Sequence, residues 1–117
     1  MFKGIVVTIG LAIGFAVPIP VSGQTFMGAG VVSCGEWLNI RSTGGNQANA
    51  FQASAWIDGF LSGVNAGIPG NSDFLASKPS SIALYAWVDN YCRSHPLDPL
   101  RTAALALANE LQSRTAR

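Results

Sequence analysis

Apolar positions along the chain fall into helical patterns separated by glycine- and proline-rich breaks. The longest runs from Gln47 to Ala66, where Ala53, Trp56, Ile57, Phe60, Leu61 and Val64 recur at spacings of three and four and make one broad stripe. Asn46 stands where an N-cap is expected, and Gly67-Ile68-Pro69-Gly70-Asn71-Ser72 supplies turn residues at the other end. Upstream, Ser33-Cys34-Gly35-Glu36 has the form of a capping box, with the Ser33 hydroxyl accepting from the Glu36 amide and the Glu36 carboxylate reaching back. A short helix to about Arg41 follows, burying Trp37, Leu38 and Ile40, and Thr43-Gly44-Gly45-Asn46 ends it in a turn.

Asp73-Phe74-Leu75 reads as a single turn that tucks Phe74 inward. From about Ser80 to Arg93, Leu84, Trp87, Val88, Tyr91 and Cys92 line one side of a third helix. His95-Pro96 stops it, because a residue before proline is pushed out of the helical region. Asp98 is placed to cap a fourth helix with Pro99 at its first position, and Leu100, Ala104, Leu107 and Leu111 form its buried seam. Nothing alternates with period two for long enough to make a strand, and no internal repeat is evident. The predicted fold class is all-α, a small bundle of about four helices.

The first residues carry a different pattern. Lys3 supplies a positive end, Gly4 to Val17 is apolar and uncharged, and Val21-Ser22-Gly23 offers small or modest side chains before Gln24. Residues 1–23 are therefore read as a secretory signal peptide, since the apolar run falls short of the ~20 residues of a membrane helix. Residues 24–32 are glycine-rich without a period and read as a flexible arm, leaving 33–117 as the helical domain. Export also decides the cysteines. In an oxidising compartment the two thiols, Cys34 and Cys92, are expected to pair. A bridge across a loop of that length contributes roughly 4 kcal/mol at most on chain entropy.

Composition narrows the function. Of the 117 residues, 49% are apolar and 11% charged, and the formal net charge is +1. That excludes the cationic face of a nucleic-acid binder and the composition of a disordered chain. Ser62, His95 and Asp58 or Asp89 are the residue types of a hydrolytic triad, but Gly59-Phe60-Leu61-Ser62-Gly63 lies in a helical pattern and lacks the nucleophile-elbow spacing. A zinc site from Cys92-x-x-His95 and Cys34 requires thiols that the bridge consumes. No catalytic residue, metal or cofactor is expected, and a minor hydrolase is a distant alternative.

The remaining candidates concern packing and contact. Trp37, Trp56 and Trp87 lie on three different predicted helices and are read as core, with Phe60 and Tyr91 beside them. Gly59 and Gly63 lie one turn apart and are expected to admit the close approach of another helix or a ring. Asp58, Asn65, Asp89 and Arg93 are expected in semi-buried ion pairs or hydrogen bonds, including bonds from tryptophan N–H groups.

Cys34-Gly35-Glu36-Trp37-Leu38, Trp56-Ile57-Asp58-Gly59-Phe60 with Gly63 and Asn65, and Tyr91-Cys92-Arg93-Ser94-His95-Pro96 together resemble the HdeA/HdeB family of bacterial periplasmic proteins. The resemblance spans about Ser33 to Leu111. It implies a periplasmic, ATP-independent acid-stress holdase, folded and often dimeric near neutral pH, that loosens in acid and holds unfolding client proteins without a cofactor. The family's chaperones are richly charged, whereas this chain has seven bases and six acids. The layout is also similar to the Tai-type immunity proteins of type VI secretion, which usually carry additional cysteines. That resemblance implies one tight, specific toxin partner, gripped by a helical face or by the Pro69–Asp73 loop.

Overall fold

The computed structural model describes residues 25–116, and the segment read as a signal peptide lies outside the described residues. Four helices follow a short 3-10 turn at Gly28–Val31: α1 (Cys34–Arg41), α2 (Gln47–Gly67), α3 (Ser81–Ser94) and α4 (Leu100–Thr115). The fold is all-α, and the only extended pairing among the described residues is an isolated antiparallel bridge between Ser33 and Pro99.

Local capping chemistry sets three of the helix starts. Ser33 Oγ accepts from Glu36 N at 3.1 Å, Asn46 Oδ1 from Asn49 N at 3.0 Å, and Ser80 Oγ from Ala83 N at 3.3 Å. The reciprocal half of the first capping box is absent among the described residues. The fourth start differs from the sequence expectation. Pro99 is the N-cap and makes no side-chain cap bond, while the Asp98 carboxylate accepts from Tyr91 OH at 2.7 Å. A phenol seven residues earlier, at the end of α3, has taken the acceptor that capping alone would have used.

Helices α1 and α4 each pack against both α2 and α3. The core between them holds Trp37 and Ile40 of α1, Ala53, Ile57 and Leu61 of α2, Leu84 and Val88 of α3, and Leu100, Ala103 and Leu107 of α4. Phe74 closes one end from the α2–α3 connection. Asn65 fixes that closure: its Oδ1 accepts from Phe74 N at 2.9 Å and its Nδ2 donates to Asp73 Oδ1 at 2.8 Å. Of the three tryptophans only Trp37 is fully buried, and Trp56 and Trp87 are half-buried at the periphery.

Cys34 and Cys92 are joined in a disulfide, with Cα atoms 4.8 Å apart and 58 positions apart in sequence. Both residues are wholly buried. Backbone bonds surround the bridge: Cys34 N donates to Asp98 O at 2.7 Å, Gly35 N to Pro96 O at 2.9 Å, and Leu100 N to Val32 O at 2.8 Å. The start of α1 is thereby fastened to the α3–α4 connection.

Two expectations are corrected. Residues 25–32 do not stand apart as an arm without structure; they pack on α2 and α4 through the 3-10 turn. Gly59 and Gly63 approach nothing, because a Cβ built on either meets open space within 4 Å. Both are exposed, Gly63 one further turn along the face that carries Trp56 and Phe60. Gly63→Ala is therefore expected to raise stability by about 1 kcal/mol, the ordinary helix-propensity difference at an exposed interior site. Chemical denaturation reads this directly, and a loss of stability would show that the strip is covered after all.

Candidate interaction surface

Three groups of side chains stand out: a node that joins helices and two aromatic stacks at the periphery. The first is a polar node between α1, α2 and α3. Asp89 on α3 accepts from Trp37 Nε1 at 2.8 Å and receives Arg41 as a two-point pair, through Nε and Nη2 at 2.8 Å each. The Arg41 guanidinium also lies over the Trp37 ring, 4.7 Å from its centroid, and faces Tyr85 at 5.6 Å. Tyr85 in turn donates its hydroxyl to Asp58 Oδ2 on α2 at 2.6 Å. Hydrogen bonding to Asp89 holds the guanidinium yet more firmly protonated than usual. Burial, then the bond to Asp58, pushes the Tyr85 phenol up.

The second group lies on the outer side of α3. Trp87, Tyr91 and His95 stack in succession, with centroid distances of 5.9 and 4.2 Å. Their spacing of four residues sets one ring above the next on a helical face. His95 Nδ1 donates to the Tyr91 carbonyl at 2.9 Å, since a carbonyl can only accept. The Tyr91 phenol is pushed up, chiefly by its bond to Asp98 and then by burial.

The third group is formed by the arm on α2. Phe26 meets Phe60 at 6.2 Å between centroids, and Phe60 stacks on Trp56 at 5.1 Å. The Arg101 guanidinium sits 5.3 Å from the centre of the Phe26 ring. Trp56 Nε1 donates to the Met27 carbonyl at 2.9 Å. Gly30 is buried under the indole, where a Cβ would overlap the Trp56 ring as it stands. Gly28 has φ +72°, a conformation that side chains rarely adopt. The 3-10 turn therefore requires glycine twice, once for its backbone angle and once for space. Beside it lies a cleft of about 650 Å³ between the arm, α1 and α2, lined by Ala29, Val32, Ile40, Ala53 and Trp56 with Glu36 at its margin.

The expected polar partners separate along these lines. Asp89 forms both the ion pair and the tryptophan bond, and Asp58 and Asn65 also bridge elements. Arg93 reaches only its neighbour Asn90, on the exposed side of α3. The triad residue types do not converge: Ser62 Oγ donates to the Asp58 carbonyl of its own helix, and His95 is held by Tyr91. No group of three or more His, Cys, Asp or Glu side chains is placed to hold a metal ion among the described residues. No described helix is long and apolar enough to cross a membrane.

Sequence reasoning missed Tyr85 and the packing of the arm on α2. Tyr85 precedes Asp89 by one helical turn, a spacing that puts both on the face turned to α1. For the arm, the available sign was Phe26 followed by Gly28-x-Gly30 in an otherwise featureless stretch. No family model, curated protein or solved structure matches this chain.

Two outcomes follow from the node. Asp89→Ala should cost about 2 kcal/mol, between the values for exposed and buried pairs, because it strands the Trp37 N–H and Arg41 together. Asp89→Asn, which keeps an acceptor, should cost about half as much in the same denaturation assay. The two raised phenols set an alkaline limit. Above the ordinary phenol value of 10.0 the folded chain keeps protons that the unfolded chain has released, so stability falls as pH rises. Stability curves across that range should flatten in Tyr85→Phe and Tyr91→Phe, and an unchanged slope in both would show that neither phenol contributes.

Proposed function

We propose that this chain is a small periplasmic helical protein that acts through protein–protein contacts, as an HdeA-like, ATP-independent acid-stress holdase. The observation that carries the reading is where the carboxylates are spent. Asp89, Asp58 and Asp98 each hold contacts between different helices or between a helix and the α3–α4 connection. The Arg41 pair and the bonds from Tyr85 and Tyr91 are charge-assisted, so these junctions rest on the carboxylate form of the acids. Cleavage after Gly23 would remove Lys3 and leave six bases opposed by six acids. Once the acids are protonated, those bases repel one another together with His95 and the new amino terminus.

Loosening of this kind exposes Trp56, Phe60, Trp87 and Tyr91, which are only half-buried in the folded state. The Cys34–Cys92 bridge meanwhile keeps α1 attached to the end of α3. The chain then presents apolar surface without complete unfolding, which is what a holdase requires. It needs no nucleotide, metal or other cofactor for this, and its partners are unfolding proteins.

Titration to about pH 2 should abolish the near-UV circular dichroism, induce ANS binding reversibly and suppress aggregation of unrelated proteins. A chain that stays natively packed there and ignores such clients is not a holdase. Tight binding to a single secreted toxin would place it with the immunity-type proteins instead.

A further inference from the structure

The arm that covers Trp56 and Phe60 reports what kind of chain this face of α2 accepts. It supplies an aromatic ring to Phe60, a backbone carbonyl to the Trp56 indole and a glycine beneath that indole. Its grip is local. Met27 and Val31 are 83% and 56% exposed, and the next fixed backbone point is Val32, whose carbonyl accepts from Leu100 N. The fit is also incomplete, because Ala29 fronts the cleft of about 650 Å³ with a single methyl group.

We propose that the Trp56–Phe60 face is a peptide-docking site for which residues 25–31 act as the resident, weaker occupant. The partner is a protein segment with an aromatic residue, a bulky apolar residue three positions later and glycine immediately after that. Such a segment reproduces the contacts of Phe26 and Gly30 and fills the space that Ala29 leaves. The site deepens the protein-contact reading above, but it operates at neutral pH and does not require an acid transition.

The test uses the full chain, its Gly30→Leu form and labelled peptides. Leucine at position 30 overlaps the Trp56 ring where it now lies, so the ring or the arm must move, and thermolysin cleavage within the arm of this variant shows whether the arm is unseated. A peptide of residues 25–32 should bind the Gly30→Leu protein and bind the unaltered protein roughly tenfold more weakly. The Ala29→Leu form of that peptide should bind both proteins more tightly, and its Gly30→Leu form should bind neither. With the unaltered protein, the Ala29→Leu peptide should also speed thermolysin cleavage within the arm, a readout that survives if the Gly30→Leu protein fails to fold. Equal peptide binding by the two proteins would overturn the proposal, as would arm cleavage that the peptide leaves unchanged. A dimer of the unaltered chain that Gly30→Leu dissolves would overturn it too, by identifying the occupant as a second copy's arm. Loss of acid chaperone activity alone would leave it standing.

Discussion

The Cys34–Cys92 bridge is buried at the point where the chain has least local reason to stay together. Its two ends belong to helices separated by all of α2 and a long connection. Without it, α1 would be a helix of eight residues, too short to persist on propensity. With it, Trp37 is delivered into the core, and its N–H and the neighbouring Arg41 reach Asp89 on α3. The backbone bonds from Cys34, Gly35 and Leu100 then extend this single covalent contact into a small ordered junction. The covalent link and the polar node reinforce each other, since both join α1 to α3.

Much of this was legible in the sequence because it depends on local chemistry. Ser33 and Asn46 carry short side-chain acceptors immediately before periodic segments, and caps of this kind act within three residues; Ser80, read as the first residue of its helix, proves to be a third such cap. Of the α2 stripe read from spacing, Ala53, Ile57 and Leu61 are core, whereas Trp56, Phe60 and Val64 are half-buried. Asp98 was not legible, because its local role as a cap competes with the Tyr91 phenol seven residues earlier, brought close by the turn after α3. The glycines show the same division. Gly59 and Gly63 look like packing glycines on a helix, yet they face solvent; the glycine that admits a ring is Gly30, 26 positions before Trp56. No periodic pattern can announce such a pairing, because it is set by the trajectory of the chain.

Among the candidate contact residues, the structure divides those that hold the bundle from those that border its surface. Trp37, Asp89, Asp58 and Asn65 hold elements together. Trp56, Phe60, Trp87 and Tyr91 form two aromatic stacks at the periphery, one covered by residues 25–31 and the other partly open on α3. The fully buried core is dominated by aliphatic side chains and alanine.

The placement of the junction at one end of the bundle gives the molecule an unequal resistance to opening. Amides of Cys34, Gly35 and Leu100 are bonded across chain segments beside a covalent link, so their exchange with solvent deuterium requires the most cooperative unfolding. At the far end, Phe74 is held in place by the Asn65 side chain and has no covalent tie. Local fluctuations that separate α2 from its following loop can therefore occur while the cysteine end remains closed. The fold behaves less like a uniform block than like a clasp fastened on one side.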